Sequence, residues 1–213
     1  FGDFMKTRSL GQKLGVISGF RPSYLKPVIG IVQGLTDPVC GLMMGKTAEV
    51  LAREFHITRR EQDEYALNSH LKAAGAIKAG QFDAELLPIP VPPRYTAVQA
   101  TDDGPRESQS MTALGKLKPY FDRRNGTVTV GNSCPLTDAA AAMLVMSESK
   151  AQELGYEPPG FLRSHAYAAL APQRMGLGPV YATAKALDKA GMTMKDIELV
   201  ELNEAFAAQV IAN

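Results

Sequence analysis

The ten residues VELNEAFAAQ, Val200 to Gln209, set two polar groups, Asn203 and Glu204, between a strand-like run and a small-residue helix. In α/β folds, polar side chains at the carboxyl end of a strand, where the next helix begins, face the ligand crevice. An Asn carboxamide placed there can donate to a water or a carbonyl oxygen, and a Glu beside it can order the loop. The same spacing also fits Asn203 as the cap of the following helix. GNSCPLTDAAAA, starting at Gly131, is a second exit of this kind. Its Cys134 reads as a small buried hydrophobe, because a nucleophilic thiol needs a base or a helix N-terminus beside it. His56, His70 and His165 have neither triad nor metal-ligand spacing and read as structural. GLGP, Gly176 to Pro179, is a turn before a helix and lacks the context of a phosphate loop.

The elements that position these exits follow from periodicity. Met44, Ala48, Leu51, Ala52 and Phe55 form one helical stripe, and Thr58 followed by Glu61 is a capping box that starts a second helix. Tyr65, Leu67, Leu71 and Ala74 are its expected inward face, and Gly80 its stop. Residues 86–106 read as an extended segment and a loop. Asn125-Gly126 marks a turn, and Thr127 to Val130 alternates as a strand. AAAAMLVM, from Ala139, reads as a buried helix or strand, and Ser147 as the N-cap of a helix ended by Gly155. After a Pro-Pro-Gly break at 158–160, FLRSHAYAAL reads as a strand, a helix starts at Pro179, and DIELVELNEAF is a strand feeding a helix. Strand, helix, strand, helix is an α/β signature.

A chain of 213 residues with 45% hydrophobic residues can bury a core. Its net charge of +1 argues against nucleic acid as a partner. The charge is uneven: Lys6, Arg8, Lys13, Arg21 and Lys26 face only Asp3 within residues 1–30, a local +4. Residues 1–20 read as an amphipathic helix, packed on its own protein or laid on a partner or a membrane surface. Cys40 and Cys134 stand far apart, a reducing-compartment pattern that implies no metal site. No run is apolar enough for a membrane span. The start FGDF, without Met, is expected of a fragment or a processed product.

VELNEAFAAQ, together with GTVTVGNSCPLTDAAAAMLV, MGKTAEVLAREFHITRREQDEYALNSH and KLKPYFD in this order, resembles the thiolase family, the 3-ketoacyl-CoA thiolases and acetyl-CoA acetyltransferases. The resemblance covers nearly the whole chain. It implies part of a layered αβαβα fold of two similar halves with a mostly helical inserted loop domain. Residues 1–125 resemble the insert, 126–158 the end of the N-terminal half, and 159–213 the start of the C-terminal half. KPVIGIVQGLTDPVCGLMMG is most similar to the trifunctional-complex β subunits, although that type carries His where this chain has Asn203.

The resemblance implies cleavage of 3-ketoacyl-CoA by CoA, or condensation of acyl-CoAs, through an acyl-enzyme on a Cys. That Cys, the proton-transferring His and a second Cys fall outside the 213 residues, so the chain alone is expected to be inactive. Asn203 resembles the Asn that holds an oxyanion-hole water. Met44, Phe121, Ala205 and Phe206 resemble positions lining the pantetheine and acyl tunnel. Cys134 stands where many members have Ser or Thr near the pantetheine, Ala139 where they have Gly, and Met43 where the short-chain type has His. No cofactor is implied beyond coenzyme A as substrate. A homo-oligomer, membership of a multifunctional β-oxidation complex, and a cytoplasmic location (the mitochondrial matrix in a eukaryote) complete the expectation. The alternative is a non-catalytic thiolase-like protein that binds acyl-CoA or lipid or acts as a scaffold. A hydrolase would need GxSxG or a reactive Cys with His, and neither motif is present.

Overall fold

A computed structural model describes residues 26–213 together with Ser9, Gly19 and Arg21. Most of the basic lead-in, including the helix expected over residues 1–20, lies outside the described residues. In chain order the helices are α1 Gly30–Gly34, α2 Met44–Glu54, α3 Arg59–Lys78, α4 Met111–Gly115, α5 Glu148–Glu153, α6 Gly178–Ala190 and α7 Ala207–Ala212. Two 3-10 turns lie at Pro172–Leu177 and Met194–Asp196. Strands β1 Ile89–Pro90 and β2 Val98–Gln99 form an antiparallel ribbon, the one sheet among the described residues. None of the described helices is long and apolar enough to cross a membrane.

The core is centred on α2. Ala48 and Ala52 meet Val128 and Ala208, and the rings of Phe121 and Phe206 close over them. Leu51 on the same helix and Leu114 at α4 are fully buried, and each such side chain contributes about 1.5–3 kcal/mol. Helix α2 packs against α7 and the Pro172–Leu177 turn, while α3 packs against α4 and α7. Small residues allow the close approach. A Cβ on Gly45 would lie 2.3 Å from the Phe121 ring.

A buried carboxylate fastens this core to the chain that returns to it. Glu49 is 2% exposed, and its Oε1 accepts the backbone N–H of Thr127 at 3.0 Å and of Val128 at 2.9 Å. Its Oε2 accepts Thr127 N–H again at 3.1 Å. A buried carboxylate is tolerated only where donors satisfy its oxygens, and here two main-chain amides do so. The preceding residue must be glycine, since a Cβ at Gly126 would sit 2.3 Å from Glu49 Oε1 and 2.4 Å from the Asp122 carbonyl.

Local signals set the helix ends as the sequence predicts. Thr58 Oγ1 accepts Glu61 N–H at 3.2 Å while Glu61 Oε2 accepts Thr58 N–H at 2.7 Å, the reciprocal capping box. Ser147 caps α5 by accepting Lys150 N–H at 3.2 Å, and Gly155 follows with φ +72°. Pro179 lies in the first turn of α6, and Gly80 follows α3 with φ +68°.

Three expectations are corrected. The inward face of α3 is formed by Gln62, Asp63 and Ala66, whereas Leu71 is 46% exposed. Phe55 follows α2 and is exposed rather than closing its stripe. The runs read as strands at Thr127–Val130, 161–170 and 197–203, and AAAAMLVM, read as buried, carry no ladder among the described residues. Met143 is 87% exposed and Val145 77%. A strand holds its shape by exchanging a series of hydrogen bonds with a neighbour, and no described segment forms such a series with these. Val128 and Thr129 are the exception in burial: Glu49 accepts the Thr127 and Val128 amides, Asn132 accepts the Thr129 amide and donates to the Thr127 carbonyl, and Tyr120 N–H donates to the Val128 carbonyl at 3.0 Å.

Glu49→Ala strips two buried amides of their acceptor, which predicts a loss of about 2–4 kcal/mol, while Glu49→Gln keeps one oxygen and loses about 1–2 kcal/mol. Urea denaturation of the purified protein measures both. Equal midpoints for wild type and Glu49→Ala would show that the carboxylate does not fasten the core.

Candidate functional site

The two strand exits meet. Ser133 and Phe206 form an isolated antiparallel bridge, with Cys134 N–H donating to the Ala205 carbonyl at 3.0 Å and Ala207 N–H to the Asn132 carbonyl at 2.9 Å. This joins GNSC to NEAFA and fixes the main chain of residues 205–207 at the entrance of α7.

Helix α3 braces both exits with one face. Gln62 Nε2 donates to Thr127 Oγ1 at 2.8 Å. Asp63, 2% exposed, accepts Asn132 Nδ2 at 3.0 Å and Arg59 Nε at 2.8 Å. Asn132 in turn accepts Thr129 N–H at 2.7 Å. Further along α3, Tyr65 donates its hydroxyl to Glu204 Oε1 at 2.5 Å and Ser69 its hydroxyl to Glu204 Oε2 at 2.5 Å. Residues three and four apart share a helix face, so a single element reaches from Thr127 to Glu204.

Asn203 is exposed and does not cap α7, whose cap position is Phe206 with no side-chain bond. Among the described residues its carboxamide has no hydrogen-bond partner. It lines a cavity of about 390 Å³ with Tyr65, Ser69, His70, Cys134 and Glu204. It also lines an apolar cavity of about 240 Å³ with Met44, Leu51, Ala205 and Phe206. A third, largely apolar cavity of about 590 Å³ is walled by α1 and by Met44, Phe121, Cys134 and Phe206. Phe121 and Phe206 meet edge to face at 5.8 Å. Asn203, Met44, Cys134, Ala205 and Phe206 therefore line one or other of the two cavities that Asn203 borders, Phe121 and Met43 line the third, and Ala139 lines none of the three.

Cys134 is exposed, which corrects its reading as a buried hydrophobe. It sits at the joined exits, where the 390 Å³ and 590 Å³ cavities both reach it. No group of three or more His, Cys, Asp or Glu among the described residues is placed to hold a metal ion. The sequence reading missed Tyr65 and Ser69 as partners of Glu204. Their four-residue spacing shows that they share a face, but nothing local in the sequence names an acid more than 130 positions away.

Burial, with Glu204 as its hydrogen-bond partner and Glu201 nearby, pushes the Tyr65 phenol up from its ordinary 10.0 to about 12. Burial and the neighbouring Arg106 hold the His70 imidazole below its ordinary value against the pull of Glu204, and its Nδ1 accepts Arg106 N–H at 3.2 Å. The sign for Tyr65 is that of a folded-state pKa above the unfolded one. Its contribution to stability is complete below pH 10.0 and is lost as the pH rises through about 12. Phenolate absorbance should show one tyrosine ionising late, and Tyr65→Phe should remove that step. Loss of some other step would contradict the assignment.

Known proteins share this sequence and this path. Residues 19–149 match the family model described as thiolase, N-terminal domain, and residues 156–213 that described as thiolase, C-terminal domain. The chain is 48% identical over 212 residues to a 3-ketoacyl-CoA thiolase of Pectobacterium atrosepticum, covering 99% of this chain and 48% of that protein. A 3-ketoacyl-CoA thiolase of Erwinia tasmaniensis is 47% identical with the same coverage. The chain thus spans about half the length of the curated relatives it matches. Among solved structures, the acetyl-CoA acetyltransferase of Bacillus anthracis superimposes with a TM-score of 0.84 at 40% identity, over 88% of this chain and 48% of that one. That of Syntrophomonas wolfei gives 0.79 at 34% identity, over 92% and 49%. The path of the described chain is therefore a partial thiolase-like α/β fold, and the protein belongs to the thiolase family.

Proposed function

We propose that this chain is part of an acyl-CoA C-acyltransferase that cleaves 3-ketoacyl-CoA with CoA, or condenses acyl-CoAs, through a Cys acyl-enzyme. The nucleophilic Cys and the proton-transferring His are supplied from outside these 213 residues. The observation that carries this reading is the unpartnered Asn203 carboxamide, set beside cavities whose walls include Met44, Ala205 and Phe206. A narrow apolar wall suits a linear thioester ligand, and a single neutral donor at its end suits a developing enolate oxygen.

In this reading Asn203 orients a water toward the thioester oxygen as negative charge builds there. Being uncharged and not acidic, it supports the developing oxyanion by hydrogen bonding without transferring a proton to it. Glu204 holds the loop and stays out of the proton transfer, since both its oxygens are occupied by the Tyr65 and Ser69 hydroxyls. Met44, Phe121, Ala205 and Phe206 line the pantetheine and acyl path, with Cys134 beside the pantetheine. Neither Cys40 nor Cys134 is the nucleophile. CoA acts as substrate, and the reading needs no resident cofactor or metal.

The remaining parts of the proposal concern organisation. Residues 1–125 form the inserted loop domain, 126–158 the end of the first half and 159–213 the start of the second. The break between the two family matches, after 149 and before 156, supports the second boundary. The complete protein is a homo-oligomer in the cytoplasm, or in the mitochondrial matrix of a eukaryote, within a multifunctional β-oxidation complex. The local charge of +4 in residues 1–30 supports their contact with a membrane surface or a partner in this reading.

The test is thiolysis by the complete polypeptide with medium-chain and long-chain 3-ketoacyl-CoA. Wild type should turn over at least one of them, and Asn203→Ala should lower kcat by roughly 10²–10³-fold. Retention of CoA without turnover would replace this reading by the non-catalytic one.

A further inference from the structure

We propose that Tyr65 and Ser69 are positioning residues for Asn203, acting through the carboxylate of Glu204. This rests on the acyltransfer reading above and adds to it a specific source of geometric precision.

The two hydroxyls lie 2.5 Å from opposite oxygens of one carboxylate. With both oxygens engaged, Glu204 can neither rotate about its last torsion nor swing away without breaking a charge-assisted bond. The clamp is mounted on a rigid element. Just before Tyr65, α3 is anchored by Asp63 to Asn132 at 3.0 Å and by Arg59 Nη2 to the Leu114 carbonyl at 2.6 Å. His70, next to Ser69, is held by its Nδ1, which accepts the Arg106 amide at 3.2 Å.

Asn203 itself depends on the residue after it. Upstream, residues 197–202 have no ladder among the described residues, and Leu199 is 83% exposed. Downstream, the main chain is held from Ala205 onward by Cys134 and Asn132. Between these regimes the Glu204 side chain is the one tether adjoining Asn203 among the described residues, one peptide bond from its Cα. Release of Glu204 lets the Asn203 carboxamide drift relative to Met44 and Phe206, and small displacements of a catalytic donor are costly.

The experiment is steady-state thiolysis by the complete polypeptide carrying Tyr65→Phe, Ser69→Ala, both together, or Glu204→Gln, each beside wild type. The double variant should lose roughly 10–100-fold in kcat with KM within about threefold. Ser69→Thr, which keeps the hydroxyl, should retain activity near wild type. In Glu204→Gln the Tyr65 phenol should ionise below about 12, because the hydrogen bond and charge of Glu204 are lost while the burial of the ring remains; this confirms that the clamp is open in the variant whose kcat is read. If Tyr65→Phe does not fold, Ser69→Ala with its Thr rescue carries the kinetic test. An active wild type with unchanged kcat in the double variant, or no rescue by Ser69→Thr, overturns the positioning role alone. A wild type that turns over no 3-ketoacyl-CoA overturns it together with the acyltransfer reading.

Discussion

Glu49 is a carboxylate with almost no contact with water, and its two oxygens meet the amides of Thr127 and Val128. Everything near the site depends on this contact. It holds Val128 against Ala48 and Ala52, which puts the Phe121 and Phe206 rings over the core and leaves Met44 at the cavity wall. The requirement runs back into the sequence. Gly126 must lack a Cβ so that the carboxylate can approach, and Glu49 must stand on α2 between Ala48 and Ala52, the two alanines that meet Val128.

Polar contacts carry this region because the segment they hold is backbone without a strand beside it. Its amides and carbonyls must be paired or hydrated once buried. Glu49, Asn132 and Ser133 supply those partners from side chains, where a sheet would supply them from a neighbouring strand, and Gln62 and Asp63 hold the Thr127 hydroxyl and the Asn132 carboxamide in place. A side-chain partner fixes direction more narrowly than apolar packing does, because each bond has a preferred line of approach. That property suits a helix whose far end holds the loop bearing Asn203.

Much of this is legible in the sequence where the cause is local. The Thr58-Glu61 box, Ser147, Pro179, and the glycines at 80 and 155 act within a few residues, and the helices begin and end where these residues place them. The α3 face departs from expectation because apolar periodicity favours Leu71, whereas the buried face bonds the side chains of Thr127 and Asn132 through Gln62 and Asp63. The strand runs have the right alternation, but pairing is a property of a neighbour, which no window of one segment contains. At the site, the wall of Met44 and Phe206 was expected from the resemblance. The clamp on Glu204 was not, since its partners are separated by more than 130 positions and only the packing of α3 brings them together.

The most direct measurement of the central claim is amide hydrogen exchange on the purified complete protein, resolved at Thr127 and Val128. If the Glu49 carboxylate holds these amides, both exchange only through global unfolding, and Glu49→Ala accelerates them far more than it does the amides inside α3. Exchange at Thr127 and Val128 as fast as in the exposed residues 101–103 would contradict the account, because the core would then be standing without the contact on which the site is built.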